Sequence, residues 1–315
     1  MPTEALATAP VEPLHAPERR PARLRPSVGG TPTLSRTQKL ITHAVLLLLC
    51  VPFVLPLVWM LCTSLKPETD IYSEKQPANA VQYLISMLPA HARWQNYPEA
   101  LQTVPFATYL QNTLFLCICN VLFAVLSSAV VAYGFARINF KGREAWFMLM
   151  ISTMALPDQV TMIPVFGFFR KLGLYGTFMP LILPALFGNA FFIFLLRQFF
   201  RTIPDELTEA ARIDGATEWG IFWQIMLPLA KPALATCALF QFLSTWNDFF
   251  GPLLYINDPN RYTLAYGLQQ FMSSYGGKWA LLMAGACIFT IPIIILFFFA
   301  QKTFIQGIST TGSKA

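Results

Sequence analysis

Charge is scarce in this sequence: Asp, Glu, Lys and Arg make up 12% of its 315 residues, about half the share of an ordinary soluble domain. A soluble fold needs a charged shell, and this one is too thin to cover a chain that is 55% hydrophobic. Histidine is rarer still; His15, His43 and His91 lie far apart and share no spacing pattern, which argues against a histidine metal site. The six cysteines (Cys50, Cys62, Cys117, Cys119, Cys237, Cys287) form no C-x-x-C pair and all fall within apolar runs. They read as small buried hydrophobes, neither disulfides nor metal ligands. The phosphate-loop sequence G-x-x-x-x-G-K-[ST] does not occur, and Gly276-Gly277-Lys278 lacks the upstream glycine, so ATP hydrolysis has no home here. No nucleophile–base constellation stands out either, which excludes the common enzyme plans.

What the sequence has in abundance is long apolar runs. They lie near Leu40–Leu65, Tyr109–Ala136, Ala145–Phe169, Phe178–Leu196, Pro232–Ile256 and Ala280–Phe304, each close to the roughly 20 residues a helix needs to cross a bilayer. The expected fold class is an all-α membrane protein of about six transmembrane helices, with both termini on one side. Residues 1–37, rich in Pro, Ala and Arg and without periodicity, read as a disordered tail. Residues 38–307 form the membrane domain and 308–315 a second short tail. Arg19-Arg20 suggests a twin-arginine signal, but the apolar run that follows is too long for one. On this topology 15 of the 22 Lys and Arg fall on the side of the termini, which the positive-inside rule makes the cytoplasm. The net charge of +6 thus reflects topology, because the basic residues flank apolar runs and form no aromatic-interleaved patch for nucleic acid. The lipid bilayer is the partner it implies.

Several features inside the runs carry information. Ala124, Ser128, Ala132 and Ala136 recur at every fourth position of the second run, a face that permits close helix approach; packing within one subunit is preferred to a dimer interface. Pro157, Pro164, Pro180 and Pro184 interrupt the third and fourth runs, and irregular backbone at membrane depth is tolerated only beside protein or water. Asp158 follows Pro157, and Asp248 stands in Trp246-Asn247-Asp248. A carboxylate at the bilayer centre costs about 2.5–3.5 kcal/mol on insertion scales, so it faces water or the protein interior. Pathway-lining candidates are therefore Pro157, Asp158, Gln159, Asn189, Trp246, Asn247 and Asp248. For Asp158 a helix end at the interface is an equal alternative.

Residues 202–228 are unlike a simple connector. Thr202 is placed to cap a helix with Pro204, Asp205 and Glu206 in its first turn, where the dipole favours negative charge. Gly215 ends that helix. Thr217 caps a second, whose apolar face is Trp219, Phe222 and Ile225 or Met226, and Pro228 stops it. The expectation is a two-helix knob whose apolar surface is covered by its own helices or by a partner's groove.

The spacing Glu209-Ala210-Ala211, three residues, Gly215, nine residues, Ile225-Met226-Leu227-Pro228 resembles the EAA signature of permease subunits in bacterial ABC importers. Asn112-Thr113, Ala132-Tyr133-Gly134-Phe135-Ala136-Arg137, Pro157 with Ile163-Pro164, and Trp246-Asn247-Asp248-Phe249 further resemble the carbohydrate-uptake branch, specifically the second permease of maltose-type systems. The resemblance runs from about Leu40 to the C-terminus. It implies a type I ABC importer permease fold in a bacterial inner membrane. It also implies partners: a second homologous permease, a cytoplasmic ATPase dimer and an extracytoplasmic solute-binding protein. No cofactor belongs to this chain, ATP and Mg being held by the ATPase. The residues so implied in ATPase coupling are Glu209, Ala210, Ala211, Asp214, Gly215, Trp219, Phe222, Leu227 and Pro228. An outer loop from about Asn257 to Lys278, with Tyr262, Tyr266, Gln269, Gln270 and Tyr275, is the binding-protein contact. The function implied is half of an alternating-access pathway for a sugar or sugar-like solute. The rivals are the same architecture with glycerol phosphate or a polyol as cargo, and a secondary transporter or channel using Asp158 and Asp248 as ion sites. A membrane enzyme with those two carboxylates paired is a further rival. The sequence shows no internal repeat and no intramembrane cation partners to favour the secondary transporter.

Overall fold

A computed structural model describes residues 35–72, 79–273 and 277–312, without the side chains of 80, 81, 83, 84, 158, 273 and 302–312. Most of the expected N-terminal tail, Tyr275, the last three residues and the carboxylate of Asp158 therefore lie outside the described parts. Among the described residues every regular element is helical. Those that build the membrane domain and its two-helix segment are α1 (Arg36–Ser64), α2 (Asn96–Thr103), α3 (Phe106–Arg137), α4 (Arg143–Ser152), α5 (Asp158–Lys171), α6 (Ala190–Phe200), α7 (Asp205–Ile213), α8 (Glu218–Ile221), α9 (Lys231–Trp246), α10 (Phe250–Tyr255), α11 (Leu264–Ser273) and α12 (Trp279–Gly312). Chain contacts divide the molecule into residues 1–53 and 54–315. The described part of the first unit is the N-terminal portion of α1, whose side chains through Phe53 are all exposed. Leu47, Leu48 and Phe53 are 70–80% exposed, a surface suited to lipid or to a partner chain.

Four helices are long and apolar enough to cross a membrane, and two bent helix pairs raise the total to six. The breaks have local causes. In the third run the chain narrows to a 3-10 turn at Thr153–Ala155 and then extends at Leu156, the residue before Pro157, because proline drives its predecessor out of the helical region. α5 restarts at Asp158, bent by 100° from α4. In the fourth run the short helix Met179–Ile182 passes into a 3-10 stretch, Leu183–Phe187, that stops at Gly188. Gly188 adopts φ +83° and ψ 162°, which only glycine occupies without strain. Asn189 then caps α6, its Oδ1 accepting from the amides of Phe191 (2.9 Å) and Phe192 (3.3 Å). The fifth run breaks at Asn247–Phe249, where Asp248 Oδ1 accepts from the Gly251 amide at 2.9 Å and opens α10.

α3 is the central beam of the second unit. Its small stripe is used as anticipated: Ala124, Ser128 and Ala132 are at most 2% exposed. The two alanines pack in one cluster with Phe192, Ile193, Leu196 and Phe200 of α6 and Ala233 and Cys237 of α9, and the Ser128 hydroxyl accepts from the Asn189 amide at 2.9 Å. A second cluster joins α2, α3, α9, α11 and α12 through Ala100, Tyr109, Cys117, Trp246, Leu264, Phe271 and Ala284. α12 starts on a remote cap, the carboxylate of Glu68 accepting from the amides of Trp279 (2.6 Å) and Ala280 (3.1 Å). It continues to Gly312, past residue 307 where the membrane domain was expected to end.

Candidate functional site

Where the breaks of the fourth and fifth runs meet, the second unit forms an open cavity of about 340 Å³. Its polar wall comes from Asn120 of α3, Asn189 at the α6 cap, Gln241, Ser244 and Thr245 of α9, and Asp248. Of the pathway candidates, Asn189 and Asp248 are thus brought together although 59 residues separate them. The other two members of the Trp246-Asn247-Asp248 triplet are not. Trp246 is fully buried between Phe242 and Phe289, ring centroids 5.4 Å from each, and is a core residue. Asn247 is exposed and donates to the Leu243 carbonyl at 2.8 Å. Successive residues on a helix point about 100° apart, so three polar neighbours share no face. Pro157 and Gln159 sit exposed at the α4–α5 bend, away from the cavity wall. Asn120, Gln241, Ser244 and Thr245 were missed, although a signal was present: polar residues at 241, 244, 245 and 248 follow the helical repeat inside an apolar run.

The second feature is the two-helix segment. α7 opens at Asp205 behind Pro204, not on a Thr202 cap, because the Thr202 hydroxyl donates back to the Phe199 carbonyl at 2.7 Å. Its end is as expected. Gly215, at φ +82°, donates to the Arg212 carbonyl and Ala216 to that of Ala211, the two bonds of a glycine-terminated Schellman turn. Thr217 Oγ1 caps α8, accepting from the Gly220 amide at 3.2 Å. Pro228 does not stop the second helix. Residues Phe222–Met226 widen into a π turn and Leu227–Leu229 continue as α-helix, followed by a 79° bend into α9. The π turn carries the chain past Pro228, and it bends two residues later, at Ala230.

The segment's two faces are sharply different. Phe222 and Leu227 are buried in the chain's own core, so they hold the segment on and offer nothing outward. Glu209, Ala210, Asp214, Gly215, Trp219 and Pro228 are exposed, with Ala211 half-buried. Ile213 and Trp223, which sequence reasoning passed over, stand out with Trp219 at 87%, 51% and 61% exposure. Ion pairs and hydrogen bonds clamp the segment to the helices behind it. Arg137, at the end of α3, pairs with Asp205 and donates to the carbonyls of Phe200 and Ile203. Glu218 accepts from the Tyr133 hydroxyl at 2.5 Å and from Arg212 Nε at 2.8 Å. The Arg212 guanidinium accordingly holds the Glu218 carboxyl below the usual carboxylate range. Buried Arg197 lies 3.8 Å over the Phe147 ring and donates to Glu144 at 2.6 Å, tying α6 to α4.

Residues 124–310 match the family model described as binding-protein-dependent transport system inner membrane component. The chain belongs to that family. It is therefore an ABC transporter permease subunit, a membrane transport component and not an enzyme. Among its relatives is an arabinooligosaccharide transport system permease of Halalkalibacterium halodurans, 34% identical across 83% of this chain and 91% of its own. A diacetylchitobiose uptake permease of Streptomyces coelicolor is 31% identical across 85% and 87%. Among solved structures, a bacterial ABC transporter involved in import of the acidic polysaccharide alginate aligns over 87% of this permease and all of its own chain. Their TM-score is 0.73 and their identity 26%. The fold is the type I ABC importer permease fold, with the span breaks and two-helix segment in place.

In this permease the stretch from Asn257 to Lys278 is no simple loop, since it contains α11. Tyr262 and Tyr266 stack edge to face at 4.4 Å, and Tyr262 also meets Tyr109. The Tyr109 hydroxyl lies 3.4 Å from Gln270. Of the four contact candidates among the described residues Gln269 is the exposed one, and Tyr262, Tyr266 and Gln270 are half-buried against the chain.

Proposed function

We propose that this permease forms one half of the pathway of an importer for neutral saccharides. A second, homologous permease supplies the other half, and a separate ATPase pair that holds ATP and Mg drives alternating access. Both termini and the two-helix segment face the cytoplasm, where Ile213, Trp219 and Trp223 enter a groove of the ATPase. The observation that carries the reading is that crest: large apolar side chains stand outside on a segment whose other face is bolted to the core, as expected of a surface awaiting a partner. An extracytoplasmic solute-binding protein delivers cargo at the opposite side, near Gln269.

The saccharide assignment rests on the relatives' substrates and on the cavity. Its wall offers amide and hydroxyl groups with one carboxylate, and no lysine or arginine is among the residues lining it. Such groups suit sugar hydroxyls, whereas a phosphate calls for cationic donors. Glycerol phosphate is accordingly the weaker cargo for this half of the pathway.

The test is purification of the tagged chain from native membranes in mild detergent, mass spectrometry of what accompanies it, and uptake by the recovered complex in vesicles. Recovery of an ATPase and a second permease, with ATP-driven uptake of neutral oligosaccharides, is expected. A chain that purifies alone yet transports on an ion gradient would overturn the reading in favour of a secondary transporter.

A further inference from the structure

No residue of the permease's coupling segment lines its cavity, so whatever moves the one must reach the other through named contacts. α3 touches both. Asn120 and Ala124 line the cavity, and Tyr133 and Arg137 grip the segment. Thirteen residues of helix separate Asn120 from Tyr133, about 20 Å at the helical rise.

The grip is divided between the segment's halves. Tyr133 and Arg137 are four residues apart and so share a helix face. Arg137 holds the entry, through Asp205 and the carbonyls of Phe200 and Ile203. Tyr133 holds the second helix. Its ring lies 5.3 Å from that of Phe222 and its hydroxyl donates to Glu218. Glu218 in turn takes Arg212 of α7 on its other oxygen, so one carboxylate ties both segment helices to the span. Tyr133 is 6% exposed and the Glu218 side chain 44%, so the donor end of this bond is buried and its carboxylate end reaches water; a hydrogen bond to a charged group is stronger than one between neutral groups.

We propose that Tyr133 is a positioning residue for transport, its bond to Glu218 carrying displacement of the coupling segment into α3 and so to the cavity wall. A packing role alone would be met by the ring. The hydroxyl is what makes the link directional, because it holds the segment at one rotation about α3. This inference rests on the importer reading above.

The test uses the assembled complex in vesicles with its binding protein, measuring solute uptake and ATP hydrolysis in the same preparation. Tyr133→Phe removes the hydroxyl alone and Glu218→Gln the charge alone. Each is expected to lower the ratio of uptake to hydrolysis on the order of fivefold or more, the scale of an ordinary coupling energy. The double variant should be no worse than the poorer single one, and co-purification of the ATPase should be unchanged. A merely structural role would lower assembly and leave the ratio intact. A wild-type ratio in Tyr133→Phe, or losses that simply multiply in the double variant, would overturn the proposal. If Tyr133→Phe fails to assemble, Glu218→Gln decides alone, its side chain being 44% exposed and tolerant of change. Absence of ATP-driven uptake by the wild-type complex would instead defeat the importer reading itself.

Discussion

At the scale of single residues, two glycines are decisive for different reasons. Gly215 sits at φ +82° with open space where a Cβ would stand, so substitution there costs conformation and not a clash. Gly215→Val should destabilise the segment's turn by about 1–2 kcal/mol. Amide exchange at Ala216 and Thr217 would show it, with the membrane helices unchanged. At Gly267 the reverse holds, since a Cβ would come within 2.5 Å of the buried Tyr109 ring. Gly267→Ala should lower stability by about 1–3 kcal/mol, visible as an earlier thermal transition in detergent. Glu218 gives the pH dependence. Its carboxyl is held low by Arg212, so the stability it contributes is full above about pH 4.3, the unperturbed glutamate value, and is lost as pH falls through the lower folded value. Protection factors across residues 205–226, corrected for the intrinsic exchange rate at each pH, should therefore be constant from pH 5 to 8 and fall only under stronger acid. The motif residues Glu209 and Gly215 were legible because their spacing is fixed. The inward turn of Phe222 was not, because it depends on the core of α3 and α6 behind it.

At the scale of elements, the joints between helices do more than the helices. α3 and α6 approach closely because Ala124, Ser128 and Ala132 keep the interface thin. Ala132→Leu should force them apart at a cost of about 1–3 kcal/mol, with lower yield of folded protein and a lower melting temperature. α12 is started by Glu68 from the far end of the chain; Glu68→Ala removes that cap and should cost about 1 kcal/mol, with fraying of the Trp279 end measurable by amide exchange. Asp248 was read as a pathway residue inside a continuous run and not as a break, whereas the break at Pro157 was anticipated, since a proline inside an apolar run is a local signal. The break at Gly188 was not, because a glycine in an apolar run looks like any small residue until its positive φ is known. The continuation through Pro228 was hidden for a similar reason: a π turn is a response to packing and leaves no mark in the sequence.

At the scale of the whole molecule, the exposed apolar helices and the exposed crest of the two-helix segment predict two environments for one chain, lipid around the spans and protein around the knob. Ile213 is 87% exposed on the chain alone, so when the permease is expressed without its ATPase the variant Ile213→Cys should react with a membrane-impermeant maleimide beyond the parent chain's background. Reaction only once the cytoplasmic face is opened is expected; labelling of intact cells would reverse the orientation. Composition and the lengths of the apolar runs determined by themselves that this is a helical membrane protein, because burying a charge-poor chain in lipid needs only local hydrophobicity. Fixed spacing likewise determined the presence and place of the two-helix segment. Only the tertiary structure decided that Asn120, Asn189, Gln241 and Asp248 face one cavity while Trp246 fills the core, and that Glu218 is bound to Tyr133. Those facts depend on which sides of α3, α6 and α9 meet, and a helix surface finds its partner through packing against the rest of the chain, which no single stretch of sequence encodes.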